Sequence, residues 1–231
     1  MKCIAVIPAR GGSKRIPNKN IKNFLGEPII SYSIRTAIES KCFEDVFVST
    51  DSNAIRRVAN KYGAKTPFVR SAKLSDDFTD TLSVLKDAIT RLESVLEFDS
   101  VCCLYATAPL LRKEFLEEAR AIISKKNKNY VVPVAEYQHP IQRSFMLSED
   151  SMLIPENQKM LKERTQDLTR YFHDTGQFYF GHKDNFLQGK PLISSNSKGL
   201  IIPKQYVCDI DTEDDWRLAE SLYRAYRANI A

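Results

Sequence analysis

Lys2-Cys3-Ile4-Ala5-Val6-Ile7-Pro8, followed by Ala9-Arg10-Gly11-Gly12-Ser13-Lys14-Arg15-Ile16-Pro17-Asn18-Lys19-Asn20, is a short apolar run that stops at proline and opens into a basic, glycine-bearing loop. An apolar run of this length, bounded by Pro and then Gly-Gly, reads as a buried strand. Residues 28–40 follow as a helix, with Pro28 in its first turn and Ile30, Ile34, Ala37 and Ile38 on one face. Residues 45–50 read as a second strand and 52–62 as a second helix, ended by Gly63. A short strand over 66–69, a long helix over 79–96, a strand over 100–105, a helix over 113–126 and a strand over 130–135 continue the pattern. The alternation predicts an α/β fold, a mostly parallel sheet with helices on both faces, Rossmann-like, with ligands at the carboxyl ends of the strands. The basic loop directly follows the first strand and so falls on that edge.

Between residues 136 and 175 the rhythm stops. The stretch is polar, holds Pro140, Pro155 and charged clusters, and has no period. A structureless segment of this length is unusual inside a compact domain. It reads as an inserted arm that packs on a partner subunit, and a homodimer is expected. Residues 177–181, 200–203 and 206–208 return to strand character. The chain closes with a helix over 212–227 that carries Trp216, Ala219, Tyr223 and Tyr226 on one face and starts with a capping-box-like Thr212 and Asp215.

The 231 residues suffice for one α/β domain, residues 1–231, with that insertion. With 43% hydrophobic and 27% charged residues, the composition is that of an ordinary globular protein. No run approaches the roughly 18 apolar residues that cross a bilayer. The N-terminal apolar run is too short for a secretory segment and is followed directly by charges. A cytoplasmic location without membrane association is expected. The five cysteines, with no C-x-x-C pair, read as reduced, packed thiols.

The formal charge is +5, and Arg10, Lys14, Arg15, Lys19 and Lys22 crowd into thirteen positions. A nucleic-acid-binding surface spreads its basic residues and interleaves aromatics. A compact knot suits a small polyanion such as a triphosphate, with a solvated loop as the plain alternative. The spacing is neither G-x-x-x-x-G-K nor G-x-G-x-x-G. Gly11 and Gly12 let the backbone curl close to an anion, and consecutive N–H groups would face it. Arg10, Lys14 and Lys19 are suited to offset charge on β- and γ-phosphates as pyrophosphate leaves. Near the other end, Asp209 and Asp211 stand two residues apart in a strand-like run. Both carboxylates would face one side while Ile210 turns to the core, and such hard oxygen ligands suit Mg²⁺ beside phosphates. The alternative is that they favour the positive end of the following helix, as Glu213, Asp214 and Asp215 do.

Residues Ile7 to Pro17, then Lys19-Asn20-Ile21, Val48-Ser49-Thr50-Asp51, Pro67-Phe68-Val69-Arg70, Leu74-Ser75-Asp76-Asp77 and Asp209-Ile210-Asp211-Thr212, resemble the CMP-nonulosonate synthetases. The resemblance spans nearly the whole chain and is weakest in the irregular stretch. It implies the family's nucleotidyltransferase fold. It implies that Arg10, Ser13, Lys14 and Lys19, with Ala9, Gly11 and Gly12 of the same motif, hold the phosphates of CTP. Asn20 would recognise the nucleotide near its base or ribose, Arg70, Thr79 and Thr81 would line the cytidine pocket, and Asp209 and Asp211 would bind Mg²⁺. Arg10, Lys14, Lys19 and Asp211 are the expected catalytic residues. Within the family, Tyr171-Phe172-His173-Asp174-Thr175-Gly176-Gln177-Phe178-Tyr179, His139-Pro140-Ile141-Gln142-Arg143 and Tyr105-Ala106-Thr107-Ala108-Pro109 are similar to the pseudaminic acid subgroup.

The implied activity joins CTP to an acidic nine-carbon sugar and releases pyrophosphate, in the service of surface glycan or flagellin glycosylation. Tyr105, Gln142, Arg143, His173, Gln177 and Tyr179 are the expected sugar contacts, with Arg164 a further candidate for the sugar carboxylate. His173 has a structural role as its alternative. Sialic or legionaminic acid is the alternative substrate. A non-catalytic nucleotide- or nucleic-acid-binding protein is the alternative from another class.

Overall fold

The computed structural model describes residues 1–125 and 128–228. Its elements are β1 (Cys3–Pro8), β2 (Asn23–Phe24), β3 (Glu27–Pro28), α1 (Ile29–Glu39), β4 (Asp45–Ser49), α2 (Asn53–Lys61), α3 (Thr81–Glu93), β5 (Ser100–Leu104) and α4 (Lys113–Ile123). After these come β6 (Tyr130–Glu136), β7 (Phe145–Leu147), β8 (Leu153–Pro155), β9 (Phe172–Asp174), β10 (Phe178–His182), α5 (Lys183–Leu187), β11 (Lys198–Ile201) and α6 (Glu213–Ala228). The main sheet has seven strands in the order β11-β6-β10-β5-β1-β4, with β9 also paired to β6. Strands β4, β1 and β5 are parallel, as are β6 and β11. β10 is inserted antiparallel between β5 and β6, and β9 is antiparallel to β6.

Alternation along the central strands builds two cores. Cys3, Ala5 and Ile7 of β1 face α1, α2 and α4, through Ile30, Ile34, Ile55, Ala59, Leu116 and Ala119. Ile4 and Val6 face the other way, onto Leu85, Ala88, Ile89 and Leu92 of α3 and Phe186 of α5. Side chains of period two therefore fill both faces, and helices cover each. The five cysteines are free thiols. Among the described residues, no helix is long and apolar enough to cross a membrane.

Residues 66–69 form no strand; the local ladder is a single bridge between Phe47 and Lys65, and Pro67 has no N–H to continue it. Residues 206–208 and Asp209-Ile210-Asp211 are likewise outside any strand, after a 3-10 turn at Lys204–Tyr206. The spacing argument survives in part, since Ile210 is fully buried. α3 starts at Thr81 because the Asp80 side chain caps it, accepting from the Ser83 N–H at 2.9 Å. α4 ends at Ile123, and Lys126 lies outside the described residues. Ile38 is exposed on the far side of α1. The start of α6 is as expected: Asp215 accepts from the Thr212 N–H at 2.8 Å and its own N–H donates to the Thr212 hydroxyl at 3.2 Å.

A third, smaller cluster positions the site. Ile16, Phe24, Ile29 and Tyr32 from the N-terminal third pack with Ile210, Trp216 and Ala219 from the C-terminal end. Phe24 is its centre, edge-on to Tyr32 at 5.2 Å, Trp216 at 5.6 Å and Tyr223 at 5.8 Å. Burying one such aromatic contributes about 1.5–3 kcal/mol. The apolar residues beside the basic loop thus draw the acidic segment against it.

Candidate active site

Because β1, β4 and β5 are parallel, the residues after their carboxyl ends, Arg10, Asp51 and Tyr105, fall on one edge of the sheet. A cavity of about 500 Å³ opens there. Of the residues predicted from the sequence, Arg10, Ser13, Lys14, Lys19, Asn20, Arg70, Thr79, Thr81 and Tyr105 line it. This volume falls in the range that holds a small ligand.

The loop after β1 is built differently from a nest of free amides. The Gly11 N–H donates to Asp51 Oδ1 at 2.9 Å and the Ser13 N–H to the Gly11 carbonyl at 3.1 Å. Side chains therefore supply most of the positive charge. Gly11 is required by a close approach, since a Cβ there would meet Ser52 Cβ at 3.0 Å, whereas one at Gly12 would meet open space. Ala9 is buried behind the wall, its N–H bonded to the Ser49 carbonyl at 3.0 Å. Ala9, Gly11 and Gly12 shape the loop without lining the cavity. Asn20 steadies it, donating to the Arg10 carbonyl at 2.9 Å.

Arg10 donates to the Asp76 carbonyl at 2.7 Å and to Asp77 Oδ1 at 2.6 Å, and Lys14 also pairs with Asp77. These cations hold the Asp77 carboxyl below its ordinary range. Thr79 bonds Asp76 Oδ1 at 2.7 Å and closes that turn. Arg70 is 4% exposed; burial pulls its pKa down and Asp51, 4.0 Å away, opposes this. A guanidinium so placed stays charged and leaves positive potential in the cavity wall.

Lys19 joins the two predicted halves. It lines the cavity, donates to the Ile210 carbonyl at 2.7 Å and lies 3.3 Å from Asp211 Oδ1, which Arg15 also reaches at 2.8 Å. Residues 192 positions apart thus meet at one carboxylate. Each of these pairs is partly solvated, so the contacts orient charges more than they stabilise the fold.

The family model described as Cytidylyltransferase matches residues 4–227. The chain belongs to the cytidylyltransferase family. It is 45% identical over 225 residues to a pseudaminic acid cytidylyltransferase of Campylobacter jejuni, covering 97% of each chain. It is 34% identical to a CMP-N,N'-diacetyllegionaminic acid synthase of Legionella pneumophila, covering 96% of each. Among solved structures, a CMP:2-keto-3-deoxy-manno-octonic acid synthetase complexed with CTP shares the fold with a TM-score of 0.71 and 16% identity, over 98% of this chain and 100% of that one.

In this cytidylyltransferase the remaining predicted residues divide. Tyr179 is 7% exposed and its hydroxyl donates to Asp174. Tyr105 meets Thr81 through its hydroxyl at 3.2 Å, and burial pushes its pKa up to about 12. The Gln177 amide donates to the Tyr206 carbonyl, and the His173 ring faces Tyr137 while its Nδ1 lies 2.9 Å from the Asp174 carbonyl. Gln142, Arg143, His173, Gln177 and Tyr179 do not line the cavity, and neither do Asp209 and Asp211. Gln142 bonds the Thr169 carbonyl at 2.7 Å, and Arg143 bonds Thr165 at 3.3 Å and the Glu163 carbonyl. Arg164 is exposed on the same segment. Sequence reasoning gave no role to Asp51, Asp77 or Asp174. The quoted motifs contained all three, but only their partners reveal what they do.

Asp209 and Asp211 offer hard oxygen donors that fit a divalent cation. Asp209 keeps part of its surface in solvent, yet burial of the rest, and then the charge of Asp211, raise its pKa against the opposing effect of Lys19. A cation would relieve that repulsion. A carboxyl whose folded pKa exceeds its unfolded value holds more protons when folded, so stability falls as pH rises between the two values. Asp209→Asn is therefore expected to raise the melting temperature of the metal-free protein at neutral pH and to leave it unchanged below about pH 4. Melting curves across pH check this, and a variant that melts below the parent at neutral pH contradicts it.

Proposed function

We propose that this cytidylyltransferase transfers the cytidylyl group of CTP to pseudaminic acid with release of pyrophosphate. The observation that carries the reading is Lys19, which lines the cavity with Arg10 and Lys14 and also touches Asp211. The Campylobacter jejuni relative supports the choice of sugar.

The reaction is an in-line displacement. The anomeric oxygen of the sugar bonds to the α-phosphorus, the bond from that phosphorus to the bridging oxygen of the β-phosphate breaks, pyrophosphate leaves, and the hydroxyl proton passes to solvent. Such chemistry depends on positioning and charge neutralisation more than on a protein nucleophile. Arg10 and Lys14, which hold the Asp77 carboxylate, are poised to exchange it for phosphate oxygens. Lys19 would follow the charge that develops on the leaving group. Asp209 and Asp211 would hold Mg²⁺, which when bound supplies positive charge to the phosphates and to the attacking oxygen.

Two further features belong to the reading. The β7–β8 hairpin exposes Phe145, Met146, Leu147, Met152 and Leu153, each at least 53% accessible. A two-stranded hairpin with an apolar surface needs a cover, and a second copy of the chain is the occupant we assign. A cytoplasmic location fits a reaction that consumes CTP.

The test is pyrophosphate release by purified protein with CTP, Mg²⁺ and, in turn, pseudaminic, legionaminic and sialic acids. Turnover is expected to be fastest with pseudaminic acid. Faster turnover of another acid removes the sugar assignment, and no release with any acid removes the reaction. Sedimentation of the same preparation is expected to show a dimer, and a monomer at micromolar concentration would exclude the second copy.

A further inference from the structure

We propose that Asp174 is a positioning residue for the acceptor half of the site, an inference that rests on the cytidylyltransferase reading above. Asp174 ends β9, and both its oxygens are engaged. Oδ1 accepts from the Gly176 N–H at 2.9 Å and Oδ2 from the Tyr179 hydroxyl. These contacts straddle a bulge: the six-residue step from Asp174 to Phe180 spans only the three-residue step from Val134 to Val131 on β6. Thr175 is pinned inside the bulge, its N–H and hydroxyl donating to the Pro133 carbonyl at 3.1 and 3.3 Å. Bulges re-aim side chains beside active sites, and here a carboxylate bridges the two ends.

Two groups of residues beside the site meet at this clamp. On one side, Gly176, at φ +63°, lies under Asp209: a Cβ there would meet the Asp209 Cγ at 3.5 Å and both carboxylate oxygens at 3.6 Å. On the other, the Tyr179 ring lies edge-on to Tyr105 at 5.9 Å, and Tyr105 reaches Thr81 at the start of α3. Contacts therefore run from Thr81, on the nucleotide wall, through Tyr105, Tyr179 and Asp174 to Gly176, and Asp209 lies over the space that a side chain at Gly176 would take. Asp174 does not line the cavity. It acts through its neighbours, fixing where Tyr105, which lines the cavity, stands relative to Asp209.

Asp174→Asn keeps the size of the side chain and an oxygen for the Gly176 N–H, but its amide nitrogen can only donate to the Tyr179 oxygen, so a charge-assisted bond gives way to a reversed, neutral one. Misplacement by about 1 Å costs roughly 100-fold, and weakening one end of the clamp is expected to cost part of that. With the full-length protein, Mg²⁺, CTP and pseudaminic acid, kcat/KM for the sugar is expected to fall about 10-fold or more through a raised sugar KM. The KM for CTP stays within about twofold and the melting temperature within about 4 °C. Tyr179→Phe should show the same split, and the double variant should lose no more than the worse single, as expected for groups that act as one unit. If Asp174→Asn does not fold, Tyr179→Phe alone decides. A CTP KM that climbs in step with the sugar KM, or a sugar KM unmoved in the folded variants, overturns the assignment. A parent protein that releases no pyrophosphate with any of the three sugar acids overturns the reading beneath it instead.

Discussion

Asp211→Asn is expected to lower kcat about 100- to 1,000-fold, the range lost when one preorganised electrostatic contact to a transition state is removed. Asparagine preserves the shape of the side chain and an acceptor oxygen, but not the charge. Arg15 at 2.8 Å and Lys19 at 3.3 Å then lose the anion that orients them, and the proposed cation on Asp209 and Asp211 would lose half of its carboxylate charge. The fold should tolerate the change, because α6 is capped by Asp215 and Thr212, and Ile210 carries the packing. Melting is expected within about 2–4 °C of the parent. Steady-state rates at saturating CTP, read beside a melting curve, check both parts. A kcat within twofold of the parent would remove Asp211 from the chemistry.

The second large effect is on stability. Phe24→Ala removes a fully buried ring from the centre of the cluster that joins Tyr32, Trp216 and Tyr223. Truncating a buried Phe in a packed core costs about 3–5 kcal/mol. The consequence should reach the site, because this cluster holds the segment of Ile210 against the segment of Ile16. The expected outcome is a melting temperature lower by about 6 °C or more, together with a raised KM for CTP at temperatures where the protein remains folded. Denaturant unfolding gives the first quantity and initial rates the second. A loss under about 1 kcal/mol would mean that the cluster closes around the gap. Unchanged CTP kinetics in a clearly destabilised variant would mean that the two segments are held together elsewhere.

Much of this site is legible in the sequence, for a definable reason. The loop of Arg10, Lys14 and Lys19 follows an apolar run that ends in proline, and in a parallel sheet the end of such a strand is the ligand edge. Thr79, Thr81 and Tyr105 also reach the cavity, each close after a strand or near a helix start, and Arg70 reaches it from irregular backbone. Two strand assignments fail because apolar residues in short loops mimic strands: Pro67 interrupts the first, and the second lies in irregular backbone where Ile210 is buried without a ladder partner. The segment over 136–175 resists reading because Phe145 to Leu147 and Leu153 to Pro155 form a hairpin whose apolar side chains find no cover among the described residues.

What the sequence by itself determined is local: periods of two and 3.6 residues, the cap at Thr212, the cationic loop after β1, and the motifs of a cytidylyltransferase. What only the tertiary structure decided is pairing: that Asp77 rather than solvent faces Arg10 and Lys14, that Asp174 clamps Tyr179 across a bulge, and that Lys19 meets Asp211. Hydrophobic period depends on neighbours along the chain and can be read from it. The partner of a charged group depends on which distant segments a shared core brings within a few ångströms, and that core exists only once the chain has folded.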